Sequence, residues 1–300
     1  MSIRAKSFNR RLRYQEGQSI ADWPFELGVG ACLEHRNSVP LSSSMCNNSA
    51  QFSMTTGEFR LAAKARFATV HLLRFPEITT PDQLALTCAP KGAMSWKIGM
   101  GGQVGPDGRR LPTDIWSALG LFSALAEAQV AFRNKEVFMP FLPGTVESWH
   151  LLLRPFRHQG ECNHIERDTP GELFEISGED GGGSLAVVTT AGYRSGFEAN
   201  MDRVVAFRDK VDHVSAWMKE LEGCFVSRAF TPYTVGYDGF TVSVWRSDED
   251  MLCASYRAGL HRGYMDGHKT SSDFDRSSFT RFRILESSGS WNGANPVAPV

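Results

Sequence analysis

What most constrains this chain is the alternation of two hydrophobic periods across its second half. "SLAVVTTAGY" (184–193) is apolar and β-branched, as a strand requires. "MDRVVAFRDKVDHVSAWMKEL" (201–221) then places apolar residues at 201, 204, 205, 211, 214, 217, 218 and 221, a helical spacing. "CFVSRAFTPY" (224–233) and "FTVSVWRS" (240–247) return to strand character, joined by a loop holding Gly236, Asp238 and Gly239. Ser247 with Asp250 marks the start of another helix, because a serine side chain can accept from backbone N–H groups left open by the first turn. "SSFTRFRILE" (277–286) is a last strand. Strand, helix, strand, strand, helix, strand is the order of the ferredoxin-like split unit.

The first half offers the start of the same order. "FATVHLLRF" from Phe67 reads as a strand, and after the Gly-rich loop "GMGGQVGPDG" the spacing predicts an apolar helix starting near Thr113 and Asp114. "SWHLLLRPF", ending at Phe156, is a second strand, and the loop "RHQGECNHIERDTPGE" takes the place of the second helix. The glycines of "ISGEDGGGS" read as a connector between the halves. The expected class is therefore α+β, with tandem ferredoxin-like repeats, the first one degenerate, forming a dimeric α/β-barrel type architecture. Two such sheets can bury their open faces on each other, within one chain or across a homodimer. The expected divisions are a poorly ordered or lid-forming arm over 1–65, a degenerate half over 66–180 and a ferredoxin-like half over 181–293.

Composition narrows the function classes. The 300 residues are 42% hydrophobic, enough for a sizeable core. Thirty-two Lys and Arg stand against 33 Asp and Glu, so no overall field favours nucleic acid. The six cysteines are scattered without a CxxC pair, which makes reduced thiols the default. The most membrane-like stretch, "IWSALGLFSALAEAQVAF" (115–132), is broken by Ser117, Ser123, Glu127 and Gln129, and reads as a buried or interfacial helix without membrane contact. The basic N-terminus is followed by no apolar run, so a cytoplasmic protein is expected.

Two histidines stand in "SYRAGLHRGYMDGHK" (255–269). On a helix, Ala254, Ala258, His261, Met265 and His268 would share one stripe, short at one end and carrying an imidazole at its middle. A flat ligand needs such room and such a handle; a histidine satisfied within a well-packed helix would read the same. "HQGECNH" offers His158, Cys162 and His164 as zinc-type donors, but no fourth ligand follows at a familiar spacing. "GMGGQVG" lacks the Lys-Ser/Thr ending of a phosphate loop, and no GxSxG elbow is present.

From "FTVSVW" through His261 to "SSFTRFRIL" the chain resembles the spheroidene monooxygenase family of carotenoid-tailoring proteins. The resemblance rests on Ser243 with Trp245, Met251, Tyr256 with Arg257, His261, and Phe279, Arg281 and Phe282, and on the tail "ESSGSWNG". It covers residues 184–293. The family's aromatic pair and glutamate after the histidine are replaced here by "DGHKTSSDFDRSS". The resemblance implies a ferredoxin-like fold, a b-type haem, and oxygen chemistry on an apolar substrate.

Haem iron needs one strong axial donor, and His261 is the expected metal ligand, with His268 the alternative beyond the helix-ending Gly267. Asp273 or Asp275 is expected to hold the second imidazole nitrogen unless a carbonyl does. Ala258 and Met265 would border the haem, and Arg257, Arg262, Arg281 and Arg283 are expected near its propionates. Arg228 is the strand cation expected on the distal, catalytic side. Three functions stay open: a haem monooxygenase fed by a separate electron donor, since no flavin or nicotinamide motif is present; a haem enzyme of dehydration or N-centred type with an amine-like substrate; and a cofactor-free binder of a small apolar ligand.

Overall fold

A computed structural model describes residues 63–79, 89–102, 113–162, 173–176, 178, 182–196, 198–232, 238–257, 260–264 and 273–297, all within one compact unit spanning Phe59–Val300. The arm expected over 1–65 lies almost wholly outside the described residues. The strands are β1 (Phe67–Thr79), β2 (Ala93–Met100), β3 (Thr113–Phe122), β4 (Glu147–Gly160), β5 (Leu185–Gly192), β6 (Cys224–Pro232), β7 (Gly239–Trp245) and β8 (Arg276–Gly289). The α-helices are α1 (Leu125–Arg133), α2 (Lys135–Phe138), α3 (Met201–Lys219) and α4 (Asp248–Leu252), the last running into a π turn over Cys253–Arg257.

The eight strands form one closed antiparallel barrel in the order β1-β3-β2-β6-β7-β5-β8-β4. Strands β4-β1-β3-β2 and β8-β5-β7-β6 thus follow the same spatial order in each half. Two seams join them. The β4–β8 seam is long, and the β2–β6 seam consists of Gly99↔Pro232 and Met100↔Thr231. Because both close within one chain, the barrel needs no second copy to be complete. Closure also removes the open edges that would otherwise recruit further strands.

Alternation along each strand sorts side chains to two faces. Val70, Leu72, Trp149, Leu151, Val188 and Val242 fill the lumen, so the barrel is a packed core. Burial of each is worth roughly 1.5–3 kcal/mol. Pro155, which lacks a ladder donor, falls at a register shift between β4 and β8. Lys97 alternates with Trp96 and Ile98 of the outer face and is 3% exposed. Burial lowers its pKa to about 7, with Asp238 opposing the effect. Asp238 is itself held by Arg276 through Nε at 3.0 Å and Nη2 at 2.7 Å.

Two sequence expectations for the first half are corrected. Residues 113–122 form strand β3, and the helix begins only at Leu125. Every residue from Ile115 to Phe122 is buried, because one face meets the lumen and the other meets the outer clusters. A doubly buried strand shows a continuous apolar run without alternation, which periodicity cannot tell from a buried helix. Strand β2 was absent from the sequence reading, since Ser95 and Lys97 break its apolar pattern. The second helix of this half is α1, between β3 and β4, and part of the loop expected after Phe156 continues β4 to Gly160. In the second half, the strands, α3 and the Ser247 cap form where the sequence places them; Ser247 Oγ accepts from Asp250 N at 3.2 Å. No helix among the described residues is long and apolar enough to cross a membrane.

Candidate functional site

On the outer face of β5–β8, beneath α3, lies a cavity of about 540 Å³, within the range of roughly 300–1,000 Å³ common for small-ligand sites. Its sheet wall carries Thr189, Ser227, Ala229, Thr241 and Ser243. Its helical wall carries Val204, Phe207, Val211, Val214 and Met218 of α3, joined by Met251, Ser255, His261 and Tyr264. The room comes from the sheet: each of those wall positions holds a small side chain. In the first half the matching outer face holds Trp96, Ile98, Trp116 and Met100, which fill the space themselves. One fold thus carries a slot on one side and a packed core on the other.

His261 belongs to the helical stretch 260–264 and is half-buried on the cavity wall. Its Nδ1 donates to the Ser255 carbonyl oxygen at 3.1 Å, six residues earlier. A carbonyl can only accept, so the proton sits on Nδ1 and the lone pair of the neutral ring sits on Nε2. The Ser255 carbonyl lies within the π turn over Cys253–Arg257, where the regular i→i−4 ladder is interrupted. That turn interrupts the α-helix on which Ala254 and His261 were expected to share a stripe. Ala258, Met265 and His268, and the side chain of Arg257, lie outside the described residues.

The other expected residues are placed differently. Arg228 is not among the residues lining the cavity; alternation puts it with Val226 and Phe230 on the lumen face, where burial and then Arg74 lower its pKa. Arg281 and Arg283, buried and 6% and 5% exposed, turn to Asp248 at the first turn of α4 rather than to the cavity. Arg283 pairs with Asp248 Oδ2, donates to the Gly183 carbonyl at 3.1 Å and stacks 4.3 Å over Phe156, while Arg281 lies 3.8 Å from Asp248 Oδ1. Arg262 is exposed and donates to the Tyr256 carbonyl at 3.2 Å. Of the two carboxylates expected on His261, Asp273 pairs with Lys210 at 2.8 Å and Asp275 with Arg203 at 2.8 Å. The Ser255 carbonyl takes their place. His158 bonds Thr280 Oγ1 at 2.8 Å, His164 lies outside the described residues, and no cluster of three metal-ligating side chains occurs among the described ones.

Sequence reasoning missed two groups at or near the site. Arg208 is the guanidinium on the cavity wall, its Nε on Asp212 at 3.0 Å, Nη1 on Thr231 Oγ1 at 3.0 Å and Nη2 on the Ala229 carbonyl at 3.2 Å. Ala229 stands where the short β2–β6 seam has run out, so its carbonyl needs this donor. A helical stripe of Arg203, Phe207 and Lys210 fastens Asp275, Phe274 and Asp273 in turn, with the two rings 5.0 Å apart. The i, i+4, i+7 spacing of that stripe was the available signal. Ser243 and Trp245, which the sequence resemblance already singled out, are joined at the sheet wall, where Trp245 Nε1 donates to Ser243 Oγ at 2.9 Å.

No protein-family model matches the sequence, and no curated protein matches it significantly. Solved structures with a similar course of the backbone include a candidate monooxygenase from Fusobacterium nucleatum subsp. nucleatum (10% identity, 77% of this chain and 96% of that one, TM-score 0.33). An aldoxime dehydratase in complex with butyraldoxime is similar at 9% identity over 75% of this chain and 81% of that one, TM-score 0.46. An anthrone oxidase-like protein is similar at 10% identity over 75% and 94%, TM-score 0.29. At these identities and TM-scores, none of these likenesses assigns a chemistry to the chain.

Proposed function

We propose that the chain is a haem-dependent enzyme of the oxygenase type, acting on an apolar small molecule, with His261 as the protein ligand to iron and two ferredoxin-like units fused to build the barrel. The observation that carries this reading is the tautomer of His261: a half-buried imidazole on the wall of a roomy, largely apolar cavity, its Nδ1–H spent on the Ser255 carbonyl and its Nε2 lone pair left to coordinate. A second partner of this kind is what orients a metal-bound histidine and raises its basicity. The residues fit a flat apolar group in two respects, volume and donor.

When bound, haem supplies an iron centre able to activate dioxygen or peroxide, or to take a substrate nitrogen directly. The chain's own residues do the rest. Val204, Phe207, Val211 and Val214 exclude water and hold an apolar substrate, and the Lys210–Asp273 pair borders the cavity. Reducing electrons come from a separate donor protein.

The test is the absorption spectrum of protein expressed with a haem supply. A Soret band is expected, lost in His261→Ala and kept in His213→Ala, whose histidine is exposed on α3. A protein that shows no band, or keeps it without His261, overturns the reading in favour of a cofactor-free binder. Spectral changes on adding polyenes against oximes or hydroxylamines then separate oxygenase from dehydratase chemistry.

A further inference from the structure

The cavity's polar groups divide into two kinds. Its charges are compensated inside the protein: Lys210 by Asp273 and Arg208 by Asp212. Its sheet wall, by contrast, presents hydroxyls whose hydrogen-bonding capacity is only partly used. Ser227 and Ser243 face each other across β6 and β7 as register partners, and both are buried, 2% and 9% exposed.

Ser243 is the better defined of the two. An indole N–H can only donate, so the Trp245 bond occupies a lone pair of Ser243 Oγ and leaves its O–H as the group with something to give. No acceptor among the described residues takes that proton. Donation from a buried indole also polarises the hydroxyl and strengthens the bond it makes next. Ser227 Oγ has only the Met218 sulfur, at 3.9 Å, a weak acceptor. Two donors thus stand side by side on the sheet wall, while His261 reaches the cavity from the helical side.

Resting on the reading of this cavity as a ligand site, we infer that Ser243, oriented by Trp245 and assisted by Ser227, is the specificity-determining hydrogen-bond donor of the cavity, and that the substrate class is neutral and apolar with one accepting group, such as a carbonyl, hydroxyl or oxime oxygen. A purely hydrocarbon ligand leaves the Ser243 hydroxyl proton unsatisfied in a dry site and that of Ser227 on a weakly accepting sulfur, which costs affinity. A charged ligand finds no uncompensated partner on the wall.

The test needs no haem. The purified full chain is mixed with 2-nonanone labelled with ¹³C at its carbonyl, nonane serves as competitor, and the carbonyl stretch of the bound ketone is read by infrared difference spectroscopy. Wild type and Ser243→Thr, which keeps the hydroxyl, are expected to show the band below its position in hexane. Ser243→Ala moves the band back up and weakens ketone binding about three- to tenfold, while nonane binds more tightly because no hydroxyl is left without an acceptor. Ser227→Ala gives a smaller shift in the same direction. A hexane-like band in wild type, or the same band in wild type and Ser243→Ala, overturns the inference. Should Ser243→Ala fail to fold because Trp245 Nε1 loses its acceptor, Trp245→Phe carries the test. It leaves the hydroxyl without its polarising donor and is expected to move the band partway up, and an unmoved band overturns the inference. A band that responds to Ser243 in a protein without a Soret band refutes the haem reading and leaves this inference standing. A His261-dependent Soret band with an unresponsive ketone does the reverse.

Discussion

His71 Nδ1 and His150 Nδ1 lie 2.9 Å apart across β1 and β4, both rings fully buried, and a single proton serves that bond. His150 Nε2 bonds Ser148 Oγ at 3.0 Å, and His71 Nε2 has no partner among the described residues. Burial, then the neighbouring imidazole, hold His71 well below the usual histidine range; burial, then Lys135, lower His150 to about 3.

Acid is therefore expected to unfold the protein through this pair. A histidine whose folded pKa is depressed contributes stability above its unfolded value of about 6.5, and that contribution is lost as pH falls toward the folded value. Each pH unit below about 6.5 removes about 1.4 kcal/mol per histidine until the folded pKa is reached. Urea unfolding at pH 7.5, 6.0 and 4.5 measures this. The double variant His71→Leu, His150→Leu is expected to flatten the profile between pH 6.5 and 4.5; an unchanged slope would refute the assignment.

Asp248 is expected to be the costliest single carboxylate to remove. It is the ion-pair partner of Arg283 and lies close to Arg281, both nearly inaccessible. Asp248→Ala leaves buried cations without an anion and should cost about 3–5 kcal/mol, read as a lowered denaturant midpoint. Because Asp248 opens the helix that leads into the π turn, the same variant should also weaken ligand binding at the His261 cavity.

Gly192 should tolerate no side chain. A Cβ there would stand 1.7 Å from Asp238 Oδ1, which Arg276 holds in place. Gly192→Ala is expected to destabilise by about 3 kcal/mol or more, whereas Gly178→Ala and Gly144→Ala, open on all sides, should be near neutral. Thermal unfolding of the three variants decides it.

Filling the slot should separate binding from folding. Ala229 and Thr241 are register partners on the cavity wall, whereas the outer face of the first half carries larger side chains such as Ile98. Ala229→Ile is expected to reduce cavity volume and weaken 2-nonanone binding several-fold with less than about 1.5 kcal/mol change in stability. Unaltered binding would place the ligand elsewhere.

The legible parts of this protein are those whose burial is one-sided. Helix α3 shows its apolar stripe because its far side meets water, and β5, β6, β7 and β8 announce themselves through β-branched and aromatic runs bounded by turns. Strand β3 did not, since both of its faces are covered, and β2 did not, since Lys97 points into the lumen. His261 was visible as an imidazole in a small-residue setting, but the carbonyl that fixes its tautomer belongs to a π turn for which Cys253–Arg257 carries no sequence signal.

The sequence alone determined where the second half's elements lie, because hydrophobic period and chain punctuation act between near neighbours. Tertiary structure alone decided that Arg281 and Arg283 serve Asp248, that Arg228 faces the lumen, that His71 meets His150, and that the outer face of the second half keeps a cavity where the described residues of the first half pack against one another. Those outcomes depend on which strand pairs with which and on the side-chain volumes that meet across the sheet, and partners 35 or 79 residues apart leave no local pattern to read.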